Sequence, residues 1–110
     1  MKFGVFYEHQ IPRPWHKDSE YEHFQNALTQ IELADKCGYD YAWQVEHHFL
    51  EEYSHGSSPT AFLAAASQRT KSIRLGHGVM QLTTNHPIRV AEQVANLDLL
   101  SNGRVELGTG

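Results

Sequence analysis

The run Glu46-His47-His48-Phe49 sets one carboxylate beside two imidazoles. Imidazole titrates near pH 6.5, so a neutral ring at a cavity mouth can hold, donate or accept a proton on an oxygen-bearing intermediate. Neighbouring side chains of an extended chain point to opposite sides. At most one of His47 and His48 therefore enters a common cavity, while the other supports the loop or an interface. Glu51, Glu52, Tyr53, Ser54 and His55 prolong this segment and read equally as substrate contacts or as solvated loop. The remaining chemistry-bearing residues have structural readings. His77 is expected as a hydrogen-bonded core residue, Asn85-His86-Pro87 as a helix cap first and a ligand contact second, and Trp15 with His16 as cover for the rim. The single cysteine, Cys37, is expected to be buried packing, since no base stands beside it in sequence.

Composition narrows the function classes. The chain has 110 residues, 40% of them apolar and 20% charged, as in an ordinary globular protein. One cysteine leaves no internal disulfide framework and no multi-thiolate metal site, which fits a reducing, cytoplasmic setting. Nine scattered Lys and Arg against thirteen Asp and Glu, for a net charge of -4, argue against a nucleic-acid surface. No apolar run reaches the length of a membrane span, and Met-Lys-Phe-Gly-Val-Phe at the start lacks a secretory core.

The elements that must position these residues follow from periodicity. Lys2 to Tyr7 reads as a strand, followed by a proline-containing loop. Ser19-Glu20-Tyr21-Glu22 has capping-box spacing, with Phe24, Ala27, Leu28, Ile31 and Ala34 at helical intervals up to Gly38. Tyr41 to Val45 is a second strand. Ser58-Pro59 opens a helix to about Thr70, and Ile73 to Val79 is a third strand. Pro87 opens a third helix that Asn102-Gly103 stops, and Arg104 to Leu107 is a fourth strand. The β-α-β-α-β-α-β order implies a parallel α/β sheet, either open and doubly wound or part of a (β/α)8 TIM barrel. One apolar stripe per helix favours the barrel. So does a repeat of roughly 34 residues, since eight such units approach the usual barrel length of about 250.

Alternation sorts the strand residues into a bulky set and a small or polar set. Phe3, Val5, Tyr7, Tyr41, Trp43, Val45, Ile73, Leu75, Val79, Val105 and Leu107 are expected against the helices. Gly4, Phe6, Ala42, Gln44, Glu46, Arg74, Gly76, Gly78, Met80, Glu106 and Gly108 are expected toward the barrel interior. Glycines on neighbouring strands would leave a hollow there, suited to a flat ligand. Arg74 and Glu106 are expected to form a structural ion pair. By the same alternation Glu46 and His48 would point inward.

Five segments together resemble the N-terminal third of bacterial-luciferase-like flavin-dependent monooxygenases. They are Met-Lys-Phe-Gly-Val-Phe, Trp43-x-x-Glu46-His47-His48-Phe49, Leu75-Gly76-x-Gly78-Val79, His86-Pro87-x-Arg89-x-Ala91-Glu92-Gln93 and Leu97-Asp98-x-x-Ser101-x-Gly103-Arg104. The resemblance implies a TIM-barrel enzyme that uses reduced FMN from a separate flavin reductase, with molecular oxygen, on a small organic substrate. A deazaflavin remains open as the cofactor. It implies His47 as the active-site histidine with His48 in support, beside Glu46. It further implies a flavin-binding set of Gly78, Val79, Gly108 and Gly110, with a non-proline cis peptide at Gly78-Val79. Light-emitting members carry a reactive cysteine where this chain has Gly110, which speaks against light emission. Pairing through the second and third helices, with Ala64, Ala65, Ala66, Ala91 and Ala95, would make a homodimer.

Two other readings stand beside this one. A metal-dependent barrel hydrolase would use His47 or His48 with Glu46 and a further histidine, although no His-x-His or His-x-x-x-His spacing supports it. Residues 1–110 are also expected to be a single incomplete domain, three and a half barrel units. As a truncated fragment, such a chain would self-associate, bind FMN poorly and turn nothing over.

Overall fold

The computed structural model describes residues 1–110 throughout. Four strands and three helices alternate: β1 Gly4–Tyr7, α1 Ser19–Lys36, β2 Tyr41–Gln44, α2 Pro59–Arg69, β3 Arg74–Met80, α3 Pro87–Ser101 and β4 Val105–Thr109. The strands form one parallel sheet in the order β1-β2-β3-β4. Strand order equal to chain order, with a helix in each crossover, is the arrangement of successive units of a (β/α)8 barrel.

The helices cover one face of the sheet through apolar stripes at helical spacing. α1 buries Ala27, Leu28, Ile31 and Ala34, and α2 buries Phe62, Leu63 and Ala66. These close on Ala42, Ile73, Leu75 and Leu97 in one core, with Val5, Tyr7 and Val105 packed against it. Ile31, Leu63, Ile73 and Leu75 have no accessible surface. Truncating one of them to alanine would cost about 2–5 kcal/mol.

Parallel register places partners on the same face, and it corrects the alternation predicted for β2. Val5 pairs with Ala42 and Ala42 with Leu75, so Ala42 and Gln44 face the helices with Val5, Tyr7, Leu75 and His77. Tyr41 and Trp43 share the inner face with Gly4, Phe6, Arg74 and Gly76. Bulk was the wrong guide here, because Ala42 needs little room under three helices while the indole fills a vacancy on the other face. A Cβ on Gly76 would lie 2.2 Å from the Trp43 ring. The hollow expected over that glycine is thus occupied by the chain's own tryptophan. Arg74 and Glu106 do pair on the inner face.

Element ends follow local chemistry, with one departure. α1 starts a residue early, at Ser19, whose Oγ accepts the His16 N–H 2.9 Å away, so no capping box forms. His86 caps α3 with Nδ1 accepting the Ile88 N–H at 3.3 Å. Asn102 ends the same helix in the left-handed region at φ 57°, a conformation asparagine tolerates. Cys37 caps the end of α1 and is exposed rather than buried.

Two polar clamps lock the bottom of the sheet. The Asp35 carboxylate accepts the backbone N–H groups of Lys71, Ser72 and Ile73 at 2.7–2.9 Å. Burial opposes its charge, but these donors and Arg104 outweigh burial and hold the acid below its usual range. Arg104 donates to Ile73 O, Ser67 O, Ser101 O and Thr70 Oγ1, tying α2, α3 and β3 together. Asp98 and Ser101 complete the corner by accepting the Val105 and Arg104 N–H groups. The Asp98-x-x-Ser101-x-Gly103-Arg104 motif is therefore a structural joint.

Candidate active site at the carboxyl ends of the strands

β1, β2 and β3 all deliver their carboxyl ends to one rim, where their loops supply Glu8, Glu46, His47, His48 and Gln81. Glu46 lies on the helix side, lining a cavity of about 390 Å³ between α2 and α3 with Ser58, Thr60, Asn85 and Gln93. It is 6% exposed and bound on every side. Oε2 accepts the Gln81 N–H at 2.8 Å, Oε1 accepts Asn85 Nδ2 at 3.3 Å, and its backbone oxygen accepts Gln81 Nε2 at 2.8 Å. His48 Nε2 stands 3.0 Å from the same Oε1. Glu46 thus fastens the loop after β3 to the end of β2 and holds His48. The inward direction expected for Glu46 is corrected with the alternation of β2.

His47 parts company with Glu46. It lines a separate cavity of about 600 Å³ with Trp15, Phe49, Ser54 and His55, and His48 lines that cavity too, so both histidines reach one cavity where alternation had allowed only one. Its backbone N–H reaches Gly56 O at 3.0 Å, its ring meets Tyr53 edge-on at 5.7 Å, and its Nε2 lies 3.5 Å from Glu8 Oε2. Glu8 was not singled out in the sequence. The available signal was parity, since Gly4, Phe6 and Glu8 continue the inner face past the end of β1.

The proposed cofactor-binding residues come together at the end of β3. The Gly78–Val79 peptide is cis, and the register with β4 slips between His77 and Met80. A Cβ on Gly108 would lie 2.5 Å from the His77 carbonyl oxygen, and one on Gly110 would lie 2.8 Å from Val79 Cγ2. These two glycines let β4 follow the slipped strand. Over Gly78 a Cβ would meet Phe6 and Trp43 only at 3.5 and 3.6 Å, ordinary contact distances. Phe6 and Val79 are exposed beside it. Gly78, Phe6 and Val79 thus leave an exposed apolar patch at the end of β3. No three His, Cys, Asp or Glu side chains of residues 1–110 converge as a bound metal ion would need.

Behind the rim, on the helix side, lies a histidine cluster that sequence reasoning missed. His9 has φ 55° and is 3% exposed, its ring packed 4.7 Å from both Phe24 and Phe62. Its Nδ1 lies 3.0 Å from His23 Nε2. Burial, reinforced by His23 and His55 and countered by Gln44, pushes the His9 pKa down to about 4. His77, fully buried with Nε2 at 3.1 Å from Thr60 Oγ1, is also shifted down by burial. That matches its expected place as a hydrogen-bonded core histidine.

Comparison with known proteins supplies the family. The luciferase-like monooxygenase family matches residues 1–110. Limonene 1,2-monooxygenase of Rhodococcus erythropolis is 40% identical over 116 residues, covering all of this chain and 27% of that protein. The oxygenating constituent of 3,6-diketocamphane monooxygenase from Pseudomonas putida, solved with FMN, superposes with a TM-score of 0.87 at 26% identity, over all of this chain and 29% of its own. A coenzyme F420-dependent tetrahydromethanopterin reductase from Methanopyrus kandleri gives 0.74 at 28% identity, over 99% of this chain and 26% of its own. The chain thus spans between a quarter and a third of these proteins. No helix is long and apolar enough to cross a membrane. Residues 1–110 belong to the luciferase-like monooxygenase family and supply four parallel strands and three helices of its (β/α)8 barrel.

Proposed function

We propose that the protein carrying these residues is a flavin-dependent monooxygenase, in which reduced FMN and molecular oxygen oxidise an organic substrate. The observation that carries this reading is the exposed apolar patch of Phe6 and Val79 around Gly78 at the carboxyl end of β3, with His47 on the loop that follows the neighbouring strand β2. FMN, when bound, supplies the electrons that activate oxygen. His47 holds or moves a proton at the ring nitrogen that faces the reacting atoms, and His48, held by Glu46, keeps the segment in place. Gly78, Val79, Gly108 and Gly110 shape the surface behind the flavin ring. Residues 1–110 would be the N-terminal part of one barrel domain, with the remaining strands supplied by further chain. A flavin reductase would act as partner, in keeping with the oxygenating constituent of a two-part system among the neighbours. Ala65, Ala91 and Ala95 are exposed on α2 and α3, open to a second copy.

The test is turnover by the full-length protein with reductase, FMN and oxygen, for His47→Asn and His48→Asn. Loss of a proton-handling group lowers kcat by about a hundredfold or more. That loss is expected for His47→Asn, and less than about tenfold for His48→Asn. The reverse order would move the role to His48. Binding of reduced deazaflavin without oxygen uptake would favour the chemistry of the F420-dependent neighbour instead.

A further inference from the structure

Glu8 and His47 leave different strands yet are clamped by one short segment. Ser54 Oγ donates to the Glu8 backbone oxygen at 2.6 Å and accepts the Gly56 N–H at 3.2 Å. Gly56 O in turn accepts the His47 N–H at 3.0 Å. Ser54 is 4% exposed, so this bracket is itself held in the interior. It fixes two backbones so that the two side chains meet, with Glu8 Oε2 3.5 Å from His47 Nε2. Glu8 Oε2 is enclosed by protein and has no hydrogen-bond partner. An enclosed carboxylate oxygen without a donor costs free energy, and the imidazole is the group placed to supply one. A closure of about half an ångström brings the pair within hydrogen-bond range, the kind of tightening that follows occupation of a site.

We propose that Glu8 is the positioning residue for His47. The Glu8 carboxylate takes the Nε2 side of the ring, the imidazole proton sits on Nε2, and Nδ1 is left as the nitrogen that accepts a proton or hydrogen bond from the reacting partner. When Nδ1 gains a proton, Glu8 balances the charge of the ring. This rests on the reading of His47 as the active-site histidine, and it adds the reacting nitrogen and the residue that selects it.

The test uses the full-length protein with 15N-labelled histidine. In the wild type, His47 is expected to show a protonated Nε2 and an unprotonated Nδ1, assigned by comparison with His47→Asn. A proton on Nδ1 overturns the inference without any Glu8 variant. Glu8→Gln and Glu8→Ala are expected to mix the tautomers and to lower kcat by about tenfold or more with KM within about twofold, and Glu8→Asp to restore part of kcat. An unchanged His47 spectrum or unchanged kcat in Glu8→Gln overturns it, as does a KM effect alone. Full activity of His47→Asn would instead refute the reading underneath, and the two failures are separable. If Glu8→Ala fails to fold, Glu8→Gln and the wild-type tautomer still decide.

Discussion

Lowering the pH from 7 to 5 should destabilise this protein through the buried His9. The ring has a pKa near 4 when folded, against 6.5 for free histidine. Between those values the unfolded chain binds a proton that the folded chain refuses, so stability falls as pH falls. The contribution is complete above about pH 6.5, lost progressively down to about pH 4, and constant below that. The full difference of about 2.5 units, at about 1.4 kcal/mol each, is about 3.4 kcal/mol. Between pH 7 and pH 5 about 2 kcal/mol of that is lost. His23 and His77 are shifted in the same direction by burial and add to the slope, while Glu20, paired with His55 at 2.7 Å, lies on the exposed side of the cluster. Urea unfolding followed by circular dichroism at several pH values between 5 and 7 measures the slope. His9→Asn keeps a residue that tolerates positive φ and removes the titration. Its absolute stability drops because the contacts to Tyr7, Phe24 and Phe62 are lost, but its pH slope should flatten by about 0.7 proton averaged between pH 5 and 7. An unchanged slope would refute the argument that burial holds His9 neutral.

Three further outcomes follow from the packing. Gly76→Ala drives a methyl into the Trp43 indole and should cost about 1–3 kcal/mol in chemical unfolding, with Trp43→Leu in the same chain recovering part of it. Recovery of none would mean that Trp43 does not occupy the space over Gly76. Arg104→Met leaves carbonyl groups of Ser67, Ile73 and Ser101 without their donor and should lower stability by about 2–4 kcal/mol, with little effect on flavin affinity. Residues 1–110 expressed alone present free β1 and β4 edges and should self-associate by light scattering. A stable monomer would contradict that.

Much of the fold was legible because its markers are local. Pro59, Pro87 and Asn102-Gly103 set helix ends, and apolar spacing along α1 picked out Ala27, Leu28, Ile31 and Ala34, all buried. Trp43 and Ala42 were misplaced because side-chain size does not say which face of a strand has room. Only the β1 and β3 partners decide that. That correction carries into the site. Once Trp43 faces inward, Glu46 falls on the helix side and His47 stands apart from it, opposite Glu8. Glu8 and His9 could not be weighed from sequence because their partners, His47 and His23, lie 39 and 14 residues away. The joint at Asp98, Ser101 and Arg104 carried the family resemblance, yet its work is hydrogen bonding at the foot of the sheet.

In the proposed function, reduced flavin lies over Gly78 and Val79 and reacts with oxygen, with His47 as the group that handles the proton. Anaerobic titration of the full-length protein with reduced FMN and, separately, with reduced deazaflavin, followed by admission of oxygen, tests it most directly. Saturable binding of reduced FMN at micromolar concentration is expected, with oxygen consumption that His47→Asn uncouples from substrate oxidation. Saturable binding of deazaflavin alone, with no oxygen consumed, would contradict it.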